Sequence, residues 1–250
     1  MSRNEKTTSV IDYMERQKKL RLITFVVCAV VVASVLLATM VMGLYSQYSK
    51  PTSVADFEIT TTNGEVEIRE YTGDALFVNI PPQINGCPVT AIGDEAFYGN
   101  ERVRRITMPD SVTEIGSSAF GLCTSLRSVE LSENITAIGD YAFTRCLALS
   151  EVSLPEGITQ IGEYTFTHSG IRRIDLPQKV TAVGKGAFMN CHELQDVTLP
   201  DSITELGESV FFGCDSLAKL TIPEGVTALD HMTFYDCYEL TVTAPHEVGY

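Results

Sequence analysis

Seven cysteines and four histidines are the residues of this 250-residue chain whose types could support metal, redox or nucleophilic chemistry. Five of them, Cys123, Cys146, Cys191, Cys214 and Cys237, each close the same phrase, of which VTEIGSSAFGLC (112–123) is one copy. A nucleophilic thiol needs a thiolate activated by a neighbouring base, and no His or Asn recurs beside these five. A zinc site needs close pairs such as C-x-x-C, whereas whole copies of the phrase separate these cysteines. His168, His192, His231 and His246 fall at unrelated places in the phrase and read as surface residues. Ser216 and Lys219 form an S-x-x-K string, but they flank an apolar Leu217 as ordinary residues of the link between copies. There is no H-E-x-x-H string, nucleophile elbow, phosphate loop or calcium loop. The residue pattern points away from catalysis and implies neither metal nor cofactor.

What must position the cysteines is the repeat itself. Copies of the phrase begin at Val89, Val112, Ile135, Ile158, Val180, Ile203 and Val226, spaced 23, 23, 23, 22, 23 and 23 residues apart. A unit this short buries an apolar face only when neighbours stack on it, so the fold class is a mainly-β repeat solenoid. The links LRSVELS, LSEVSLP, IRRIDLP, LQDVTLP and LAKLTIP alternate apolar and polar residues, which predicts short strands forming one parallel sheet along one side. Gly116, Gly139, Gly162, Gly184 and Gly207 are expected at turns with unusual backbone angles. The five cysteines then stack in a structural column. Adjacent coils would bring their Cα atoms roughly 5 Å apart, within disulfide range. The odd total of seven, and the exchange of Cys for Asn100 and Ser169 at the same position, favour buried free thiols instead. The fourth copy is one residue short and is expected to make a tighter coil.

The phrase φ-T-x-φ-G-x-x-A-F-x-x-C followed by L-x-x-φ-x-φ-P resembles the BspA-type leucine-rich repeat of bacterial surface proteins, over residues 89 to about 245. The preceding FEITTTNGEVEIREYTGDALFVNIPPQINGCPVT resembles that family's lead-in, in which a hairpin caps the first coil. Asn63-Gly64 between two alternating runs is an independent hairpin signal. This gives five segments: a tail (1–21), a transmembrane helix (22–45), a linker (46–55), a β-hairpin cap (56–88) and the seven-repeat solenoid (89–250). The resemblance implies a role in adhesion or recognition at a cell surface.

Charge and hydropathy place the chain. Residues 22–45 carry no charge, and as a helix they would extend roughly 36 Å, enough for a hydrocarbon core of about 30 Å. Arg16, Lys18, Lys19 and Arg21 precede this run and only Lys50 follows closely, which predicts a cytoplasmic N-terminus and an extracytoplasmic repeat domain. Residues 1–50 carry a formal charge of +4 and residues 51–250 one of −18, so nucleic acid is excluded as a partner. What varies between copies is the polar set on the strand links. Arg104, Arg105, Arg127, Glu130, Glu151, Arg172, Arg173, Asp175, Asp196 and Lys219 are the candidate partner-binding residues, and large aromatics are missing from these columns. The ligand class expected is a protein, peptide or glycan. A sensory ectodomain signalling through the helix, or an accessory region of a longer protein, are the alternatives.

Overall fold

The structure is a computed structural model that describes residues 32–35, 37, 50–245 and 247–249. The chain divides into two units, Met1–Lys50 and Pro51–Tyr250. In the first, residues 32–35 and 37 are helical and exposed. The rest of the predicted span 22–45, the tail 1–21 and most of the linker's first residues lie outside the described residues. Among the described residues no helix is long and apolar enough to cross a membrane.

The second unit is a mainly-β solenoid of about eight turns of some 23 residues. It opens with an antiparallel hairpin, Phe57–Thr62 against Glu65–Tyr71. Its turn is Asn63-Gly64, both at positive φ (55° and 82°), the backbone that a two-residue hairpin twisting with its strands demands. A second Asn-Gly turn, Asn85-Gly86, joins Gln83–Ile84 to Cys87–Ile92. The lead-in also adds a turn to the seven repeat copies, because Glu65–Tyr71 pairs parallel with Cys87–Ile92 and Phe77–Asn79 pairs parallel with Arg105–Thr107.

Two parallel ladders run along the stack, which corrects the expectation of one sheet. The first comprises the links: Phe77–Asn79, Arg105–Thr107 and Ser128–Glu130, then Arg173–Asp175 with Asp196–Thr198, then Lys219–Thr221 with Thr241–Thr243. The second comprises two-residue strands just before each glycine, among them Glu114–Ile115, Ala137–Ile138, Gln160–Ile161, Ala182–Val183 and Glu205–Leu206. The T-x-φ triplet supplies too few residues for its alternation to register as a strand in sequence.

The glycines also serve a different purpose from the one expected. Gly116, Gly139, Gly184 and Gly207 are not at positive φ; a Cβ on each would sit 2.5–2.8 Å from backbone atoms of the preceding coil. They are glycine because neighbouring coils touch there. The left-handed positions fall two and six residues later, as at Ser118 and Leu122 or Tyr141 and Arg145, where the chain turns the corner (φ 54–61°).

Between these features runs one core. Val112, Ile115, Ala119, Phe120, Cys123 and Leu126 are all buried, and their counterparts in other coils stack above and below them. The phenylalanines form a continuous column from Phe97 to Phe234, with neighbouring centroids 5.2–6.1 Å apart, and Tyr71 of the lead-in occupies its head, 5.1 Å from Phe97. Both ladders are interrupted at two junctions. Between the coils of Phe211 and Phe234, Asp196–Thr198 does not pair with Lys219–Thr221, and Glu205–Leu206 ends its sheet. The other junction is the seam between the coils of Phe143 and Phe166. Ala137–Ile138 does not pair with Gln160–Ile161, and the link after Ser128–Glu130 forms no strand beyond a single Glu151–Arg173 bridge. On the turn side the same seam stays closed, with Tyr141 N–H to Glu163 O at 2.9 Å, Phe143 N–H to Thr165 O at 2.8 Å and Arg145 N–H to Thr167 O at 2.8 Å. The short fourth copy is accommodated at Gly170, which donates to Cys146 O (3.1 Å) and has no room for a side chain against Leu147 O.

Candidate binding surface

Strand geometry turns the link residues into columns. The register places Arg105, Ser128, Arg173, Asp196 and Lys219 in one column, with Glu151 bridged to Arg173, and Thr107, Glu130, Asp175, Thr198 and Thr221 in a second. Arg104, Arg127 and Arg172 stand just ahead of the strands; Arg127 N–H donates to Arg104 O, and Arg172 N–H to Ser150 O. Leu76 and Phe77, from the lead-in, head these columns and are 38% and 39% exposed. The strand face therefore includes a large aromatic, contrary to the sequence reading. Phe77 was missed because it lies outside the repeating phrase.

Much of the charge on this face is neutralised between coils. Arg105 pairs with Glu130, which also accepts from Thr107 Oγ1 at 3.1 Å. Arg173 donates to Asp196 through Nε (3.3 Å) and Nη2 (2.8 Å), and Arg172 approaches Glu193 at 3.4 Å. These pairs are solvent-exposed and screened by water, so they contribute little to stability. Arg104 and Arg127, on adjacent coils, have no ion-pair partner among the described residues. Glu151, Ser153, Arg173, Asp175 and Thr198 line an open hollow of about 380 Å³ beside the seam.

The cysteine column lies inside. Cys123, Cys146, Cys191 and Cys214 are buried and Cys237 is half-buried, all as free thiols. Each donates its S–H to the carbonyl of a phenylalanine one coil earlier, at 2.9–3.1 Å (Phe97, Phe120, Phe166, Phe188 and Phe211). Those carbonyls sit at the corner of the coil, where a small donor is required. At the interrupted position Ser169 Oγ lies 3.5 Å from Cys191 Sγ. Burial disfavours the thiolate, pushing Cys123 up to about 12 and Cys191 to about 11, and raising Cys146 and Cys214 as well. Such thiols are poor nucleophiles. We expect a thiol reagent at neutral pH to spare these four in the folded protein and to titrate all seven cysteines of the denatured, unreduced chain; fewer would mean disulfides. A thiol that stays protonated when folded stabilises the fold below the pKa of the unfolded thiol. That contribution is lost as pH rises through the interval up to the folded value. The urea midpoint should accordingly fall between pH 8 and 10, by at least about 1 kcal/mol in stability.

The histidines remain scattered. His192 lies 3.3 Å from Asp215, His231 3.0 Å from Asp230 and His168 Nε2 3.3 Å from Asn190, while His246 lies outside the described residues. Burial and the nearby Arg145 hold His168 below the usual imidazole range. Among the described residues no group of three or more His, Cys, Asp or Glu could hold a metal ion. Leu217 is buried and Ser216 and Lys219 exposed, so the S-x-x-K string converges on nothing.

The turn side carries aromatics that the sequence reading passed over. Tyr141 and Tyr164 stack at 4.9 Å and 17°, and Phe212 and Tyr235 at 5.4 Å and 16°. They occupy variable x positions of G-x-x-A-F-x-x-C, outside the strand links.

A stack of coils with a continuous core, exposed polar columns and inaccessible thiols is a leucine-rich-repeat solenoid, a fold that typically serves as a non-enzymatic binding scaffold. The BspA-type leucine-rich-repeat region model matches residues 90–211 and 159–247, in six copies. The chain belongs to that family. A leucine-rich-repeat protein of T. pallidum is 30% identical over 79% of this chain and 83% of its own, with a TM-score of 0.57. One from Bacteroides ovatus is also 30% identical, covering 78% of this chain, with a TM-score of 0.70; this chain spans 53% of its length. Comparison with curated proteins yields no significant match. The family suggests a role in protein binding or adhesion.

Proposed function

We propose that the protein is anchored in the membrane by residues 22–45 and displays residues 51–250 outside the cytoplasm, where the strand face binds a protein, peptide or glycan of another surface. One observation carries the choice of face. Arg104 and Arg127 are exposed guanidiniums without ion pairs among the described residues, on a body of formal charge −18, beside the exposed Leu76 and Phe77. An Arg pair next to an exposed aromatic is the composition of an interface centre. Arg105, Arg173 and Arg172 are already matched by Glu130, Asp196 and Glu193, which leaves Arg104 and Arg127, with Lys219 farther along the face, for a partner's anionic groups. Cells displaying the full chain should retain a partner from host or neighbouring-cell surface extracts. Reversing Arg104, Arg127 and Arg172 to Glu should weaken that retention at least tenfold, about 1.4 kcal/mol. Unchanged retention by a folded variant would reject the strand face as the binding surface.

A further inference from the structure

The turn side of the solenoid presents its own set of outward residues. The first and second positions after the coil glycine hold Asp140 and Tyr141 in one coil and Glu163 and Tyr164 in the next. The two rings are close to parallel, with centroids 4.9 Å apart. Ring faces in contact lie nearer than that, so the rings are offset and each keeps part of its face unshared. The next residue along the column is Gly186, where a Cβ would lie 2.5 Å from the Tyr164 ring. In a neighbouring column, one residue after the core phenylalanine, Tyr98 lies beside Gly121 and Phe212 stacks with Tyr235. Tyr98, Tyr141 and Tyr235 are 50%, 41% and 54% exposed. Coils rise by about 4.8 Å each, so these three aromatic groups, in two columns, are spaced about 12–14 Å along the stack.

Separate aromatic platforms with carboxylates alongside do not form one continuous apolar patch of the sort a folded partner covers. They suit an elongated ligand that offers small apolar faces at intervals and hydroxyls between them. Asp140 and Glu163 are exposed, and Asp140 already accepts the Glu163 N–H at 2.7 Å, which fixes its carboxylate beside the rings. Carboxylates on a body of −18 repel sulfated, phosphorylated or uronic-acid polymers. We propose that the turn side is a second interaction surface, a platform for a neutral oligosaccharide. Tyr141, backed by the half-buried Tyr164, stacks against a sugar face, and Asp140 and Glu163 accept hydrogen bonds from its hydroxyls.

The test is affinity electrophoresis of the full chain in detergent through gels containing galactomannan, soluble β-glucan or hydroxyethylcellulose, with alginate as the anionic control. At least one neutral polymer should retard the protein and alginate should not. Retardation should weaken at least tenfold in Tyr141→Ala/Tyr164→Ala and survive in Tyr141→Phe/Tyr164→Phe. Glu163→Lys, which removes no packing, should weaken it too and covers the case in which the alanine variant does not fold. The Arg104, Arg127 and Arg172 reversal should leave it unchanged, so this surface and the strand face can fail separately. No retardation by any neutral polymer, equal retardation by alginate, or full retardation of the folded alanine variant would overturn the proposal. So would a tyrosine-dependent capture of a protein in place of a glycan.

Discussion

Truncating Phe143 to alanine is expected to be among the most damaging single substitutions in the chain, costing about 4 kcal/mol. Its ring is fully buried between Phe120 (5.2 Å) and Phe166 (5.5 Å), and removing a buried aromatic costs about 3–5 kcal/mol through lost transfer free energy and the cavity left behind. Position makes this site worse than an equivalent such as Phe188. Phe143 and Phe166 face each other across a seam where both ladders are interrupted, so the coupling there falls to stacked core side chains, the Tyr141–Tyr164 contact and the turn-side hydrogen bonds. Repeat stability is close to a sum of intrinsic and nearest-neighbour terms, and weakening one junction can split a single transition into two. Urea unfolding followed by tyrosine fluorescence and by far-UV circular dichroism should show non-coincident transitions for Phe143→Ala. Phe188→Ala, whose coil keeps its ladder through Ala182–Val183 and Glu205–Leu206, should lower the midpoint while staying two-state. Two-state unfolding of Phe143→Ala would show that the seam is no weaker than other junctions.

The repeat, its inward residues and the hairpin at Asn63-Gly64 were legible because each is written as a spacing or a dipeptide with a mechanism. Val112, Ile115 and Phe120 are apolar at fixed intervals, and burial follows from stacking. What escaped reading depended on the distance between coils, which no single copy encodes. Gly116 looks like a turn residue in its own phrase; only the approach of Gly93 and Asp94 from the preceding coil explains it. The same holds for the strand face. The sequence showed Arg105 and Glu130 to be exposed, but their pairing, and the isolation of Arg104 and Arg127, follow from register. The turn-side tyrosines are a third case, since Tyr141 and Tyr164 become a platform only once their coils are stacked. The seam is not marked by the repeat spacing: the 22-residue interval belongs to the fourth copy's own coil, whereas the interruption lies on its preceding side.

Gly139→Ala should then be far more costly than the chemically identical Gly162→Ala. A methyl on Gly139 would sit 2.5 Å from Ser117 N and 2.6 Å from Gly116 C, both backbone atoms of a coil held by two ladders, so the coils themselves must part. Overpacking of a fixed site costs about 1–3 kcal/mol, and displacement of paired backbone puts Gly139→Ala at the upper end. Gly162 faces the seam. Its nearest neighbours there are Asp140 Oδ1 at 2.6 Å and Thr165 Oγ1 at 3.2 Å, with the nearest backbone atom, Asp140 N, at 3.3 Å. Side-chain oxygens can rotate away, at the expense of the Asp140 hydrogen bond to Glu163 N–H, so about 1 kcal/mol is expected. Neither glycine is at positive φ, so backbone strain does not distinguish them and the difference reports coil spacing alone. Chemical denaturation of the two variants side by side checks this: equal losses would mean that the glycines answer to a local backbone requirement common to every copy, and that the coils are as tightly seated at the seam as elsewhere.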